Sequence, residues 1–289
     1  MDDAIKECKG HTKKFTVGNW RMRQVNISEL AFADDVALVA RTPASLQWNL
    51  DIWNHEMTKR NMVISISKTK TMVISRRPKK HSVTLRGESL EQVECFKYLG
   101  AMISQDGTQD QEINTRIAAT SRLYHAMGRG CIGKREVSKR TKVAVYKSVY
   151  VPTLIHSSES WTTTSRHTSR IQASEMRYLR RVEGKSRRDR VRNQTIRSNL
   201  HVDPLNRRVE EAQLRWFGHV VRMPDHRQPR MAWEARFPGR RSIGRPRRRW
   251  EENVQDSLQA RGVQWGRARA LAEDRKGWSA LCKNLDTAR

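Results

Sequence analysis

The sequence predicts an α+β protein, with strands crowding its N-terminal part and helices filling the remainder. Three features carry that expectation. Short apolar runs, alternating or continuous, recur between Val25 and Ile103. After Asp106-Gly107 they give way to apolar residues at helical spacing. From Lys185 onward arginine dominates the polar positions.

Val25-Asn26-Ile27-Ser28-Glu29-Leu30 alternates apolar with polar residues, and Val36-Ala37-Leu38-Val39-Ala40 is a continuous apolar run. With Ala33-Asp34-Asp35 between them, the two read as a β-hairpin around a short acidic turn. Thr42-Pro43 then offers a helix N-cap followed by proline at the first helical position. Leu46, Leu50, Trp53 and Met57 follow as one apolar stripe. Met62 to Ser67 reads as a strand, with Thr71 to Ser75 as its partner around Lys68-Thr69-Lys70. A further strand pair is expected at Ser82 to Arg86 and Phe96 to Ile103. The helices should segregate to one face of this layer.

Past Asp106-Gly107, Ile113, Ile117, Tyr124 and Met127 mark one amphipathic helix. Val143, Tyr146 and Tyr150 mark another, which Pro152 should end. Trp161 and the run Ile171 to Val182 indicate a third. The stretch from Phe237-Pro238-Gly239 through Gly244-Arg245-Pro246 reads as a loop or linker, and Trp250 to Leu258 and Ala268 to Leu281 as short terminal helices.

Composition narrows the partners. The chain has 289 residues, 37% hydrophobic and 30% charged, with a net charge of +27. Such an excess implies a polyanionic partner, nucleic acid or an anionic membrane surface. No stretch approaches the roughly 20 apolar residues of a spanning helix, and the acidic start, Met1-Asp2-Asp3, is unlike a signal peptide. Nucleic acid is therefore the expected partner and a membrane is not. The four cysteines, Cys8, Cys95, Cys131 and Cys282, form no Cys-x-x-Cys pair. They read as reduced thiols of an intracellular protein, nuclear or cytoplasmic, and Cys8 with His11 is only half of a zinc site.

The residues with most chemistry in them are Asp34 and Asp35. Two carboxylates at a tight turn repel unless water or a cation lies between them, and divalent metal ions do this in polymerases. Successive side chains near a strand end point to opposite faces, so Asp34 is expected as the direct ligand and Asp35 as its support.

The segment Ile27-Ser28-Glu29-Leu30-Ala31-Phe32-Ala33-Asp34-Asp35-Val36-Ala37-Leu38-Val39-Ala40 resembles the catalytic hairpin of reverse transcriptases from non-LTR, LINE-like retrotransposons. Ile66-Ser67-Lys68-Thr69-Lys70-Thr71-Met72 looks like the following palm motif, and Phe96-Lys97-Tyr98-Leu99-Gly100 like the primer-grip hairpin. Pro152-Thr153-Leu154-Ile155 with Glu159-Ser160-Trp161 resembles the helical region after the palm. Leu214-Arg215-Trp216-Phe217-Gly218-His219-Val220-Val221-Arg222-Met223 and Gly244-Arg245-Pro246-Arg247-Arg248-Arg249-Trp250 resemble the family's C-terminal segments. The likeness covers almost the whole chain, in the family's order.

The resemblance implies roles. Asp34 and Asp35 would hold Mg2+, the cofactor of the complete enzyme. Lys68, with Lys70 as the alternative, would lie near the incoming nucleotide's phosphates. Tyr98, Leu99 and Gly100 would position the primer end, with glycine allowing close backbone approach. It also implies an incomplete palm over residues 1–106, with antiparallel strands and a packed helix. A helical thumb-like region over 107–184 and a basic nucleic-acid-binding tail over 185–289 would follow. A complete enzyme has fingers and a further metal-binding aspartate before the hairpin. Only about thirty residues precede Asp34 here, and Asp2 and Asp3 lack a strand pattern to supply that ligand. The function expected is therefore a fragment of an RNA-directed DNA polymerase, inactive alone. The alternative is a catalytically inactive remnant that binds RNA and DNA. The sequence leaves the oligomeric state open.

In the tail, Arg187, Arg188, Arg240, Arg241, Arg245, Arg247, Arg248 and Arg249 are the expected phosphate contacts, since guanidinium suits phosphate geometry. Trp216, Trp233 and Trp250 interleave with them as base-stacking candidates, although a place in the core of small helical units is the stronger expectation. His219 has no metal partners in view and reads as structural.

Overall fold

The computed structural model describes residues 2–17, 24–27, 29–75, 78–235 and 247–283. Two compact units are present, the first built from Met1–Thr108 and Met223–Pro246, the second from Gln109–Arg222 and Arg247–Arg289. The architecture is mixed α and β, and every sheet among the described residues has two strands.

In the first unit, α1 (Asp2–His11) precedes the antiparallel pair β1 (Phe15–Val17) and β2 (Val25–Ile27). Then comes the expected hairpin, β3 (Glu29–Phe32) and β4 (Asp35–Leu38). Helix α2 (Pro43–Lys59) begins as the sequence predicts: the Thr42 hydroxyl accepts from the Ser45 N–H at 3.2 Å, and Pro43 occupies the first turn. The stripe is also as expected. Trp53 and Met57 pack with Cys8, Val36 and Leu38, and Leu50 packs with Val83, Leu85 and Leu90. Asn49 is fully buried and ties down the chain after α1, accepting from Lys13 N–H at 2.7 Å and donating to Lys13 C=O at 2.9 Å.

The next strands differ from expectation. Met62 to Ser67 forms no ladder, although Met62, Ile64 and Ile66 do pack against the α2 clusters while Val63 stays exposed. The alternation reports one apolar edge of a chain running over a core, and that needs no paired strand. Its supposed partner instead supplies β5 (Lys70–Thr71), which runs parallel to β8 (Glu91–Gln92). The pairing of Ser82–Arg86 with Phe96–Ile103 is likewise replaced by two local hairpins. These are β6 (Thr84–Leu85) with β7 (Glu88–Ser89), and β9 (Cys95–Tyr98) with β10 (Ala101–Ser104). The cause is a residue followed by glycine at each bend. Arg86-Gly87 and Leu99-Gly100 all have positive φ, as a tight two-residue hairpin turn requires.

The second unit is helical. Helix α3 (Asp110–Met127) carries the predicted Ile113–Met127 stripe. Pro152 does not end the next helix. Helix α4 (Lys139–Val145) widens into a π-helical turn over Tyr146–Tyr150, and the chain continues through Pro152 as α5 (Val151–Leu154). The Val151 N–H already bonds five residues back, to Tyr146. That wider turn makes room for a proline, which lacks the N–H and crowds the carbonyl four residues before it. The long helix α6 (Ser165–Glu183) opens with Thr164 and His167 capping each other's backbone and stops at Gly184, φ 72°.

Helices α7 (Asn193–Leu200) and α8 (Leu205–Val221) close the unit's core. Ile196, Leu200, Val202 and Leu205 join Trp161, Tyr178 and Leu179 in one cluster. The core therefore continues past residue 184 without a break. After α9 (Gln228–Glu234), which belongs to the first unit, the chain forms α10 (Trp250–Gln259), α11 (Trp265–Glu273) and α12 (Arg275–Lys283). The last two stand where one helix from Ala268 to Leu281 was expected, separated at the non-helical Asp274. The predicted linker from Phe237 to Pro246 lies outside the described residues.

The segments that carry the family resemblance in this unit turn out to be packing partners. The Trp161 C=O accepts from Gln213 Nε2 of α8 at 2.8 Å, and Trp250 Nε1 donates to Glu159 C=O at 2.7 Å. Gly218 faces Trp278 so closely that a Cβ there would lie 2.3 Å from the indole nitrogen, which itself donates to Leu214 C=O at 2.9 Å.

Candidate nucleic-acid interface and acidic hairpin

The acidic hairpin turns tightly. Phe32 pairs with Asp35, leaving Ala33-Asp34 as a two-residue turn, and Ala33 takes a left-handed φ of 52°. Asp34 and Asp35 are both exposed. The β9–β10 hairpin meets this one, because Tyr98 Oη donates to Leu30 C=O of β3 at 3.0 Å. Partial burial, and secondarily the Asp35 charge, push the Tyr98 hydroxyl pKa up. Leu99, at φ 47°, and Gly100, at φ 86°, form the tip of the second hairpin, with Leu99 exposed. Lys68 stands exposed in the turn after Ile66, and no hydrogen bond or ion pair among the described residues joins it to Asp34 or Asp35. Lys70 is bound to Glu91 at 2.6 Å.

A polymerase centre needs several oxygen ligands arranged around its ions. Among the described residues no group of three histidine, cysteine or acidic side chains is placed to share a metal ion. Two exposed carboxylates on one turn do not fit a complete two-ion centre.

Some cations of the second unit are paired with acids, and others, in several places, are not. Several from α7 onward are already paired with acids. Arg197 pairs with the fully buried Glu175 at 2.6 Å, and Glu175 also accepts from Tyr146 Oη at 3.2 Å. Arg215 pairs with Glu211 at 2.5 Å, Arg261 with Glu210 at 3.7 Å, and Arg248 with Asp256. Arg247, Arg248 and Arg249 are exposed just before α10, whose first turn carries Glu251 and Glu252. Arg240, Arg241 and Arg245 lie outside the described residues.

A dense group of exposed cations lies on α6 and just after it. Arg166, Arg177, Arg181, Lys185, Arg187, Arg188 and Arg190 are exposed. Arg170 bonds to Asn114 Oδ1, and Arg177 to Ser121 Oγ at 3.1 Å, both uncharged acceptors. Among the described residues none of the α6 arginines has a carboxylate within 4.0 Å. Arg177, Arg180, Arg181, Lys185 and Arg187 line a cleft of about 530 Å³ whose lining includes no acid. Of these five, only Arg187 is among the expected phosphate contacts. Arg177, Arg180 and Arg181 lie on the last turns of α6, where helical geometry gathers them on one side, and Lys185 follows just after its Gly184 stop.

The three tryptophans are half-buried. Trp250 is tied to Glu159, Trp233 lies under the Arg230 guanidinium at 5.4 Å, and Trp216 packs on His219 at 5.5 Å between ring centroids. No described helix is long and apolar enough to cross a membrane.

No protein-family model matches this chain. No solved structure matches it. A Caenorhabditis elegans protein named as transposon-derived is 26% identical over 284 residues, spanning 92% of this chain and 99% of the relative. That similarity supports a transposon-related origin for the chain described here.

Proposed function

We propose that this chain is a nucleic-acid-binding portion of a non-LTR retrotransposon reverse transcriptase, and that its second unit holds single strands of RNA or DNA on the cationic face of α6 and the segment after it. The observation that carries this reading is the gathering of cations without acid partners around one cleft beside α6. An exposed guanidinium already paired with a carboxylate has little net attraction left for phosphate. The α6 group bonds only to neutral acceptors and keeps its charge available. Binding of this kind is driven by counterion release and is indifferent to sequence.

The test is a salt titration of the full chain against a labelled single strand, with chelator present. If about six phosphates are neutralised, log K should fall against log salt with a slope near −4. The combined variant Arg170→Gln, Arg177→Gln and Arg181→Gln should bind more weakly and lower that slope by about two units. A flat salt response, or a variant that binds like the parent, would refute the reading.

A second reading is favoured by the contact of Tyr98 with the acidic hairpin. In it the first unit is part of a polymerase palm, with Asp34 and Asp35 as Mg2+ ligands, Lys68 near nucleotide phosphates and Tyr98-Leu99-Gly100 positioning the primer. With two exposed carboxylates and no third partner placed among the described residues, the expected result on a primed RNA template with magnesium is no extension. Extension that disappears in Asp34→Ala would establish this second reading instead.

A further inference from the structure

The cleft between α3, α6 and α7 is more than a stretch of the basic face. Arg177, Arg180, Arg181, Lys185 and Arg187 surround one volume of about 530 Å³, room for a nucleotide or two. Like charges confined in this way repel, and a ligand is held best when its own charge is equally concentrated. An internal phosphodiester brings a single negative charge. A terminal phosphomonoester brings about 1.5 to 2 at neutral pH, and a polyphosphate brings more.

The cleft is also held in shape. Arg180 spans its floor, donating to Ser186 C=O at 3.2 Å, to Val191 C=O at 2.7 Å and to Asn193 Oδ1 at 2.8 Å. These neutral acceptors leave its charge in place while fixing the segment that carries Lys185 and Arg187. The one acid of that segment, Asp189, is turned to cap Ser186, accepting from its N–H at 2.5 Å and its hydroxyl at 2.9 Å. Those two bonds hold its carboxyl pKa below the ordinary range, so it stays an acceptor engaged with Ser186 and does not line the cleft. A binding site ordered before its ligand arrives avoids much of the ordering cost of binding. On the wall, the Tyr124 ring lies 6.0 Å from the Arg177 guanidinium and is a stacking surface for an adjoining base.

We infer that this cleft seats a phosphate-dense group, the terminal mono- or polyphosphate of a nucleic-acid strand, in preference to an internal phosphodiester. The inference rests on the reading of the second unit as a nucleic-acid platform and adds which part of the strand enters the cleft.

Three labelled RNAs of one sequence, bearing a 5′-triphosphate, a 5′-monophosphate or a 5′-hydroxyl, are titrated with the full chain at about 0.15 M salt, where longer-range attraction is screened. The triphosphate strand should bind about tenfold or more tighter than the hydroxyl strand, with the monophosphate between, from added charge-assisted hydrogen bonds. Inorganic tripolyphosphate should erase the preference and leave hydroxyl-strand binding largely intact. Arg181→Gln with Lys185→Gln should erase it as well. Arg207→Gln with Arg215→Gln, an equal loss of positive charge away from the cleft, should keep it. Equal affinity for all three ends overturns the end preference while leaving nucleic-acid binding standing. A preference that survives in the Arg181–Lys185 variant overturns its placement in this cleft. Failure of every strand to bind sinks the platform reading too.

Discussion

Among the described residues, the first unit has two small apolar clusters along α2, while Phe32, Val63, Ile74 and Leu99 are exposed. The second gathers residues from α3 to α8 into one cluster around three tyrosines, with Tyr150 and Tyr178 ring centroids 4.8 Å apart. Buried area scales with stability, so the second unit should be the harder of the two to open. The difference also separates two kinds of candidate site. The acidic hairpin sits on thin two-stranded sheets, where a short turn sets its geometry. The cationic cleft is anchored on a long capped helix.

Each unit carries one buried thiol, which makes the comparison measurable. Cys8 and Cys282 are buried, and burial, the largest cause, pushes the pKa of each up to about 11. At pH 8 the thiolate fraction is then roughly two orders of magnitude below that of an ordinary cysteine. Half-buried Cys95 and Cys131 should therefore react with a thiol reagent in native buffer while Cys8 and Cys282 stay protected. As urea is raised, Cys8 should become reactive before Cys282. Simultaneous release would mean that the two units open together and would end the distinction.

Substitutions sharpen the same contrast. Trp161→Ala removes an indole only 1% exposed and should cost about 3–5 kcal/mol in chemical denaturation. Phe32→Ala in the first unit, at a ring 66% exposed, should change stability by no more than about 0.5 kcal/mol. A larger loss at Phe32 would reveal packing on that sheet face. Gly218→Ala should cost about 1–3 kcal/mol, because the added methyl meets Trp278 and one of the two must move. A neutral result there would mean that the indole has room to shift.

The local signals in the sequence were the legible ones. The acidic hairpin, the Thr42-Pro43 helix start and the stripes of α2 and α3 each depend on near neighbours, and each is present. The misread pairings after α2 depend on which strand finds which. Apolar alternation at Met62 to Ile66 cannot distinguish a paired strand from a chain draped over a core. At Pro152 the rule that proline ends a helix gave way to a π-helical turn, which no local residue type announces. In the candidate interface, charge totals predicted a basic surface. They could not say that Arg197 and Arg248 are matched by acids while Arg177 and Arg181 are not, because those pairings join residues distant in sequence or on different turns.

The smallest expected effect tests whether the two hairpin tips of the first unit hold strain for a purpose. Ala33 and Leu99 both take left-handed φ values, which cost an L-residue about 1–2 kcal/mol. Strain that persists at a site is a pointer toward function, but Arg86 sits in the same kind of turn without any candidate role. Leu99→Asn separates the explanations. Asparagine is favoured before glycine in this turn because its short polar side chain tolerates the left-handed region. The leucine is 47% exposed, so little packing is lost. The variant should be more stable by about 0.5–1 kcal/mol, read as a higher urea midpoint with an unchanged slope. If stability falls, Leu99 is packed and its backbone conformation is the by-product of that packing. If stability rises, the native residue keeps a less stable turn, and an exposed apolar side chain at the tip beside the acidic hairpin is what the strain retains. That is the outcome expected of a residue placed to touch a partner.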